Sequence, residues 1–281
     1  MVKKILVNWK EYFDNSSKGE DMWGHYKSSN GSLYVVADGA SNHDGSKTGG
    51  DVVRLIDHRL KHDSANIRHK KDLRELLHSI NTESTKINEG AYAAIAGILH
   101  RGNKIYGFAA GDVSIIAKKA NGKLIQILPL DLNMQREEAE RRVKKELGTT
   151  INDIEITESN FERRVSQYTK HGLYNAIGLG EHFFLHDINF NTKEGSAILI
   201  ASDGVTDPFM KSQRDAGKIL KSNAPKLYKL FNSNDNAKDA AIFLENMIWD
   251  TQVKESQKIK PDDRTGIFFY MNSSIESGSK S

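Results

Sequence analysis

Apolar and polar positions along the chain alternate with two different periods. Short runs rich in Val, Ile, Ala and Phe predict strands near residues 3–9, 32–37, 92–99, 103–109, 112–118, 124–128, 196–201 and 265–271. Helical spacing predicts helices over about 48–62, 71–88, 135–147 and 236–254; in the second, Leu73, Leu76, Leu77, Ile80 and Ile87 repeat on one face. The four central strands are separated by Arg101-Gly102-Asn103, Ala110-Gly111 and Asn121-Gly122. Links this short predict antiparallel hairpins, because parallel neighbours need long crossovers. Helices grouped around antiparallel strands predict an α+β layered sandwich rather than a doubly wound parallel sheet. No linker or internal repeat divides the chain, so residues 1–271 are read as one domain. The Ser- and Gly-containing stretch 272–281 is read as a disordered tail.

Three strand ends carry acids. Leu33-Tyr34-Val35-Val36-Ala37 runs into Asp38-Gly39, and Ala197-Ile198-Leu199-Ile200-Ala201 runs through Ser202 into Asp203-Gly204. In the reverse order, Pro261-Asp262-Asp263-Arg264-Thr265 introduces Gly266-Ile267-Phe268-Phe269-Tyr270. A carboxylate at a buried strand end is costly unless it is paired or metal-bound. Three of them predict one shared cation site, and all-oxygen ligation selects Mg²⁺ or Mn²⁺ over zinc. Taken singly, an Asp-Gly after a strand is usually only a turn. The ordered set is what reverses that reading.

Bulk composition narrows the setting. Of the 281 residues, 38% are hydrophobic and 27% charged, as in an ordinary globular protein. A net charge of +3, spread along the chain, gives no footprint for nucleic acid or a membrane surface. The absence of cysteine excludes disulfides, thiolate catalysis and Cys-based zinc sites, and fits a cytoplasmic address. The apolar stretch after Met1 is too short for a signal peptide, and no later run reaches membrane-spanning length.

These residues, taken in order, resemble the metal-dependent serine/threonine protein phosphatases of type 2C. The resemblance rests on Val36-Ala37-Asp38-Gly39-Ala40-Ser41-Asn42-His43, on Ala109-Ala110-Gly111-Asp112-Val113-Ser114, on Ala201-Ser202-Asp203-Gly204-Val205-Thr206-Asp207, on Asp262-Asp263-Arg264-Thr265, and on the acidic pair Glu20-Asp21 ahead of the first motif. It implies a four-layer αββα sandwich with two central antiparallel sheets flanked by helices. It also implies hydrolysis of phosphoserine and phosphothreonine in proteins by a metal-activated water, opposing a serine/threonine kinase. Asp38 would bridge two Mn²⁺ or Mg²⁺ ions, with the Gly39 carbonyl as a further ligand. Asp203 and Asp262 would complete the second ion's site, and Glu20 and Asp21 would act through bound waters. Asp112, sharing Asp203, would hold a third, weaker ion. Such cations lower the pKa of water and screen the phosphoryl oxygens.

The chain also departs from the family pattern. Ser16 stands where relatives carry a phosphate-holding arginine, which leaves Lys18 as the nearby cation. Ala40 replaces the histidine that many eukaryotic relatives place after Asp-Gly, and Ser41 and Asn42 stand in place of further glycines. Two other functions stay open: a phosphatase-like regulatory or binding module with little turnover, and a phosphatase of small metabolites. Several features take the blander reading. Asp207 and Arg264 are read as structural or surface groups. The pairs His58/His62 and His182/His186, at zinc-like i,i+4 spacing, are read as solvated helix faces. Gly178-Leu179-Gly180 is read as a turn. Arg136–Glu146 is read as an exposed charged helix, with a flap over the site as its functional alternative.

Overall fold

The structure, a computed structural model, describes residues 3–14, 19–40, 49–87, 90–102, 104–126, 140–141, 143–144, 175–190, 196–206, 229–231, 237–254 and 263–275. Among the described residues, ten strands form two five-stranded antiparallel sheets. One has the order β2(Asp21–Ser28), β3(Gly31–Ala40), β4(Tyr92–Arg101), β5(Lys104–Ala110), β8(His186–Phe190). The other has the order β1(Lys3–Asp14), β10(Arg264–Ile275), β9(Ala197–Ala201), β6(Ser114–Lys118), β7(Leu124–Gln126).

Period-two alternation sends each strand's residues to two different cores. On β3, Val35 and Ala37 join Val52, Ile56 and Leu60 of helix α1(Gly49–Asp63) and Leu73, Leu77 and Ile80 of α2(Lys70–Ile87). Their neighbours Tyr34 and Val36 face the other sheet, meeting Ile267, Phe269 and Met271 of β10. The intervening Phe268 points away, to Ala240 and Leu244 of α3(Ala237–Lys254). The layers are therefore helix, sheet, sheet, helix. Strands buried on both faces explain why Ile198, Leu199 and Ile200 form an unbroken apolar run.

Three expectations need correction. The Ala110-Gly111 link is not a hairpin, because β5 pairs with β4 and β8 whereas β6 pairs with β7 and β9. It carries the chain from one sheet to the other. Gly111 turns it at φ 92°, and a β-carbon there would lie 2.5 Å from that of Ala94. A short glycine link looks alike in sequence whether it folds back within a sheet or crosses between two. Residues 272–275, expected in a disordered tail, instead continue β10 against β1, and 276–281 lie outside the described residues. His182 lies in a short 3₁₀ turn and His186 opens β8, so no helix joins them. His58 and His62 do share α1, exposed, with ring centroids 4.5 Å apart.

Two strands escaped the sequence reading, β2 and β8. Both are edge strands, where only one side is paired and the apolar signal is weak. In the charged stretch 136–146, Glu140, Arg141, Val143 and Lys144 are helical, and the rest of that segment lies outside the described residues. Gly178 and Gly180 both have positive φ, as a turn requires.

Candidate active site

Strand register places the acids at one end of both sheets. Asp21 pairs directly with Asp38 across β2 and β3. On the other sheet, Ala201 of β9 pairs with both Ser114 of β6 and Gly266 of β10. Antiparallel pairing then carries Asp112, two residues before Ser114, to the same end as Asp203, two residues after Ala201.

Backbone close approach joins the two ends into one site. Gly204 opens onto the residue that precedes β10: a β-carbon there would sit 1.9 Å from the Asp263 carbonyl oxygen. Gly39 and Gly49 are packed backbone against backbone, since a β-carbon on Gly49 would lie 2.2 Å from the Ala40 nitrogen and 2.3 Å from the Gly39 carbonyl carbon. No other residue fits at these points, which gives the Asp-Gly pairs a physical reason beyond turn preference.

Glu20 ties the parts together. Its carbonyl accepts from the Gly39 N–H at 3.0 Å, and its own N–H donates to Asp263 Oδ2 at 2.7 Å. Its carboxylate accepts from the Gly49 N–H at 3.1 Å, at the N-terminus of α1, where negative charge is favoured. Glu20 is thus a structural hub, a role apart from the one the sequence predicts for it. The Asp203 N–H approaches Asp38 Oδ2 at 3.4 Å, linking one sheet to the other. Ser202 and Thr265 lock reciprocally: the Ser202 N–H donates to the Thr265 carbonyl at 2.8 Å, and the Thr265 N–H donates to Ser202 Oγ at 3.0 Å.

The sequence reading assigns the ligand role to Asp262 and gives no role to its neighbour Asp263. Asp263 is 2% exposed. The adjacent acid was the available signal, because two successive acids opening a buried strand cannot both be solvated. Arg264, read as a surface residue, is largely buried and lies 3.6 Å from Asp14 on β1. Asp262, Ser16, Lys18 and Asp207 lie outside the described residues.

The electrostatics are those of a site that lacks positive charge. Burial pushes the Asp21 carboxyl up to about 7; the Ser202 and Thr265 hydroxyls oppose the rise, and the negative charges of Asp203 and Asp263 add to it. Among the described residues no three His, Asp or Glu side chains are arranged as a cage for an ion. The donors present nevertheless fit a hard divalent cation. They are all oxygens, they converge from both sheets, and the charge of one raises the pKa of another.

This yields a pH prediction. With a folded pKa near 7 and an unfolded value of about 3.9, Asp21 contributes stability that is fully present below about pH 4 and lost as pH rises through about 7. In metal-free protein, Asp21→Asn should therefore melt several degrees above wild type at pH 8, with the gap closing towards pH 4. Adding Mn²⁺ at pH 8 should raise the wild-type Tm. A gap independent of pH in thermal melts would contradict this.

The comparisons with known proteins agree with the geometry. The profile described as protein phosphatase 2C matches residues 13–245. A bacterial serine phosphatase superposes with TM-score 0.62 at 17% identity, covering 94% of this chain and 97% of that chain. The serine/threonine phosphatase of S. agalactiae gives 0.62 at 16% identity, over 95% of this chain and 99% of that one. The catalytic domain of the serine/threonine protein phosphatase PstP, in complex with two manganese ions, gives 0.58 at 16% identity, over 96% and 100%. No curated relative matches the chain in sequence. With the profile spanning most of the sequence and the αββα layers in place, the chain belongs to the protein phosphatase 2C family.

Proposed function

We propose that this protein hydrolyses phosphoserine and phosphothreonine in proteins, using Mn²⁺ or Mg²⁺ held by its strand-end carboxylates. The observation that carries this reading is the convergence of Asp21, Asp38, Asp203 and Asp263 from both sheets, with Asp21 raised to about 7. The two manganese ions in PstP support a pair of ions. When bound, such ions lower the pKa of a water and neutralise the phosphoryl oxygens.

The chain's own groups have separate tasks. Asp38, whose carboxylate lies at the junction of the sheets, would hold the ions, together with the Gly39 carbonyl. Asp203 and Asp262 would supply carboxylates to a second ion, and Glu20 and Asp21 would act through the water around it. With no cysteine in the chain, direct attack by water is favoured over a thiol intermediate. Ala40 has no proton to give the leaving oxygen. Lys18 is the candidate to hold the phosphate where Ser16 replaces arginine, as a point charge without the bidentate fork.

Asp112, at the Asp203 end of β6, would hold a third, weaker ion that would support the leaving group. Asp112→Ala should lower kcat on a phosphoserine peptide by about 10–100-fold, and less on an activated aryl phosphate that needs no proton. Equal losses on both substrates would return Asp112 to a turn residue.

The partner of this activity is a phosphorylated protein whose kinase it opposes. No described helix is long and apolar enough to cross a membrane, and the cysteine-free chain fits a cytoplasmic address. Phosphate release from phosphopeptide, metabolite and aryl phosphate panels with Mn²⁺ tests the reading. It predicts turnover of phosphoserine and phosphothreonine peptides. Turnover confined to metabolites, or none at all, would favour the other two functions.

A further inference from the structure

The parity of β2 defines a second surface beside the site. The Gly39 N–H bonds the Glu20 carbonyl, and Ser28 pairs with Gly31 across the two-residue turn Ser29-Asn30. Even-numbered residues of β2 therefore bond β3, and the odd ones aim their N–H and C=O groups outward. Lys27 agrees, since its carbonyl accepts from Ser64 Oγ at 3.0 Å. Among the described residues β2 pairs with β3 alone, and nothing bonds the outward backbone groups of Trp23 and His25.

This edge is the floor of a groove of about 710 Å³ that begins at Gly19 and Asp21. One wall is apolar: Trp9 and Phe13 of β1, with Trp9 against the Trp23 ring at 5.8 Å and Phe13 45% exposed. The other is the polar face of α1, with Arg54 and Lys61. Their side chains are 68% and 65% exposed, and their ion pairs with Asp51 and Asp57 are the weak surface kind. Asp57 also accepts from the Tyr26 hydroxyl at 2.8 Å and is 33% exposed against 65% for Lys61. At the far end, Ser64 closes the edge.

We infer that the open edge of β2 is a docking strand for the substrate polypeptide, in which a segment on one flank of the phosphoserine lies extended as an added strand leading into the carboxylate site. The inference rests on the phosphatase reading above and adds how the polypeptide is recognised. An edge with unpaired donors and acceptors selects an extended backbone, and the groove accepts about five residues at about 3.3 Å each. Pleating then sets the side chains. Those facing β1 meet Trp9 and Phe13 and are apolar; those facing α1 meet Arg54 and Lys61 and are acidic. The occupant is an extended segment in which apolar and acidic residues alternate.

The test uses the full chain with Mn²⁺ and a phosphoserine peptide carrying five such residues on each flank. Single backbone N-methyl groups are placed at successive positions of each flank. A docked strand bonds the edge through alternate residues, so kcat/KM should fall about three- to tenfold at every second position of one flank only. Phe13→Ala, at an exposed position, should shrink the advantage of the long peptide over a phosphoserine peptide without flanks. Losses without alternation, or equal turnover of long and short peptides, would overturn the inference while leaving the phosphatase reading intact. Sedimentation as a dimer with the edge covered would assign it to a second copy and overturn it as well. No turnover even of an aryl phosphate would overturn both.

Discussion

Asp38→Asn and Asp203→Asn are each expected to lower phosphopeptide turnover by more than about a hundredfold while leaving the protein folded. Asp38 ends a strand of one sheet, Asp203 follows a strand of the other, and the Asp203 N–H reaches Asp38 Oδ2 at 3.4 Å. Both side chains are only partly buried, so neither serves as packing. Asparagine keeps the shape and removes the charge. Groups that merely support a metal ligand already cost about 10–100-fold when changed, and a ligand's own charge should cost more. Removing one negative charge from a crowded acidic cluster should also raise the stability of the metal-free protein, which a turn residue would not do. Wild-type turnover in either variant, measured as phosphate release, would remove the cation site from the account.

Gly204→Ala should be nearly as damaging to activity, though it touches no reacting group. The added methyl would lie 1.9 Å from the Asp263 carbonyl oxygen, a backbone atom that cannot swing aside. The helical turn Asp203–Thr206 and the entry to β10 must then separate, moving Asp203 away from Asp38. Overpacking of this kind costs about 1–3 kcal/mol of stability, and a displacement near 1 Å at a reacting centre costs on the order of a hundredfold in rate. Gly266→Ala supplies the contrast. Its nearest neighbour would be the Ile200 carbonyl oxygen at 3.5 Å, an ordinary contact. Denaturant melts and phosphate release on the two variants should differ sharply. Equal behaviour would mean that the Gly204 contact does not hold the site together.

The sequence exposes what is energetically expensive and conceals what is assembled between distant segments. The placing of Asp38 and Asp203 at the ends of apolar strands was legible, because a carboxylate closing such a strand needs a reason. The helices α1, α2 and α3 were legible because each has one apolar face, and their observed ends fall within one residue of expectation. Strand β2 was not, because Gly24, His25 and Lys27 interrupt it and it has a single paired neighbour. The structure explains that composition: the Tyr26 phenol lies where a Gly24 side chain would be, and the outward edge borders the groove. The second role of Glu20 was hidden for a different reason. It depends on Gly49 and Asp263, which lie 29 and 243 residues away, and no local pattern encodes such pairs. The transfer between sheets at Gly111 is likewise a matter of which strands become neighbours.

The most direct test of the central claim is phosphate release from a phosphoserine peptide as Mn²⁺ is titrated into chelator-treated protein. Convergent carboxylates that need a cation predict no release in chelator, and release that rises with Mn²⁺ to a plateau, with Mg²⁺ able to substitute. Undiminished release in chelator, or none at any concentration of either ion, would contradict the account.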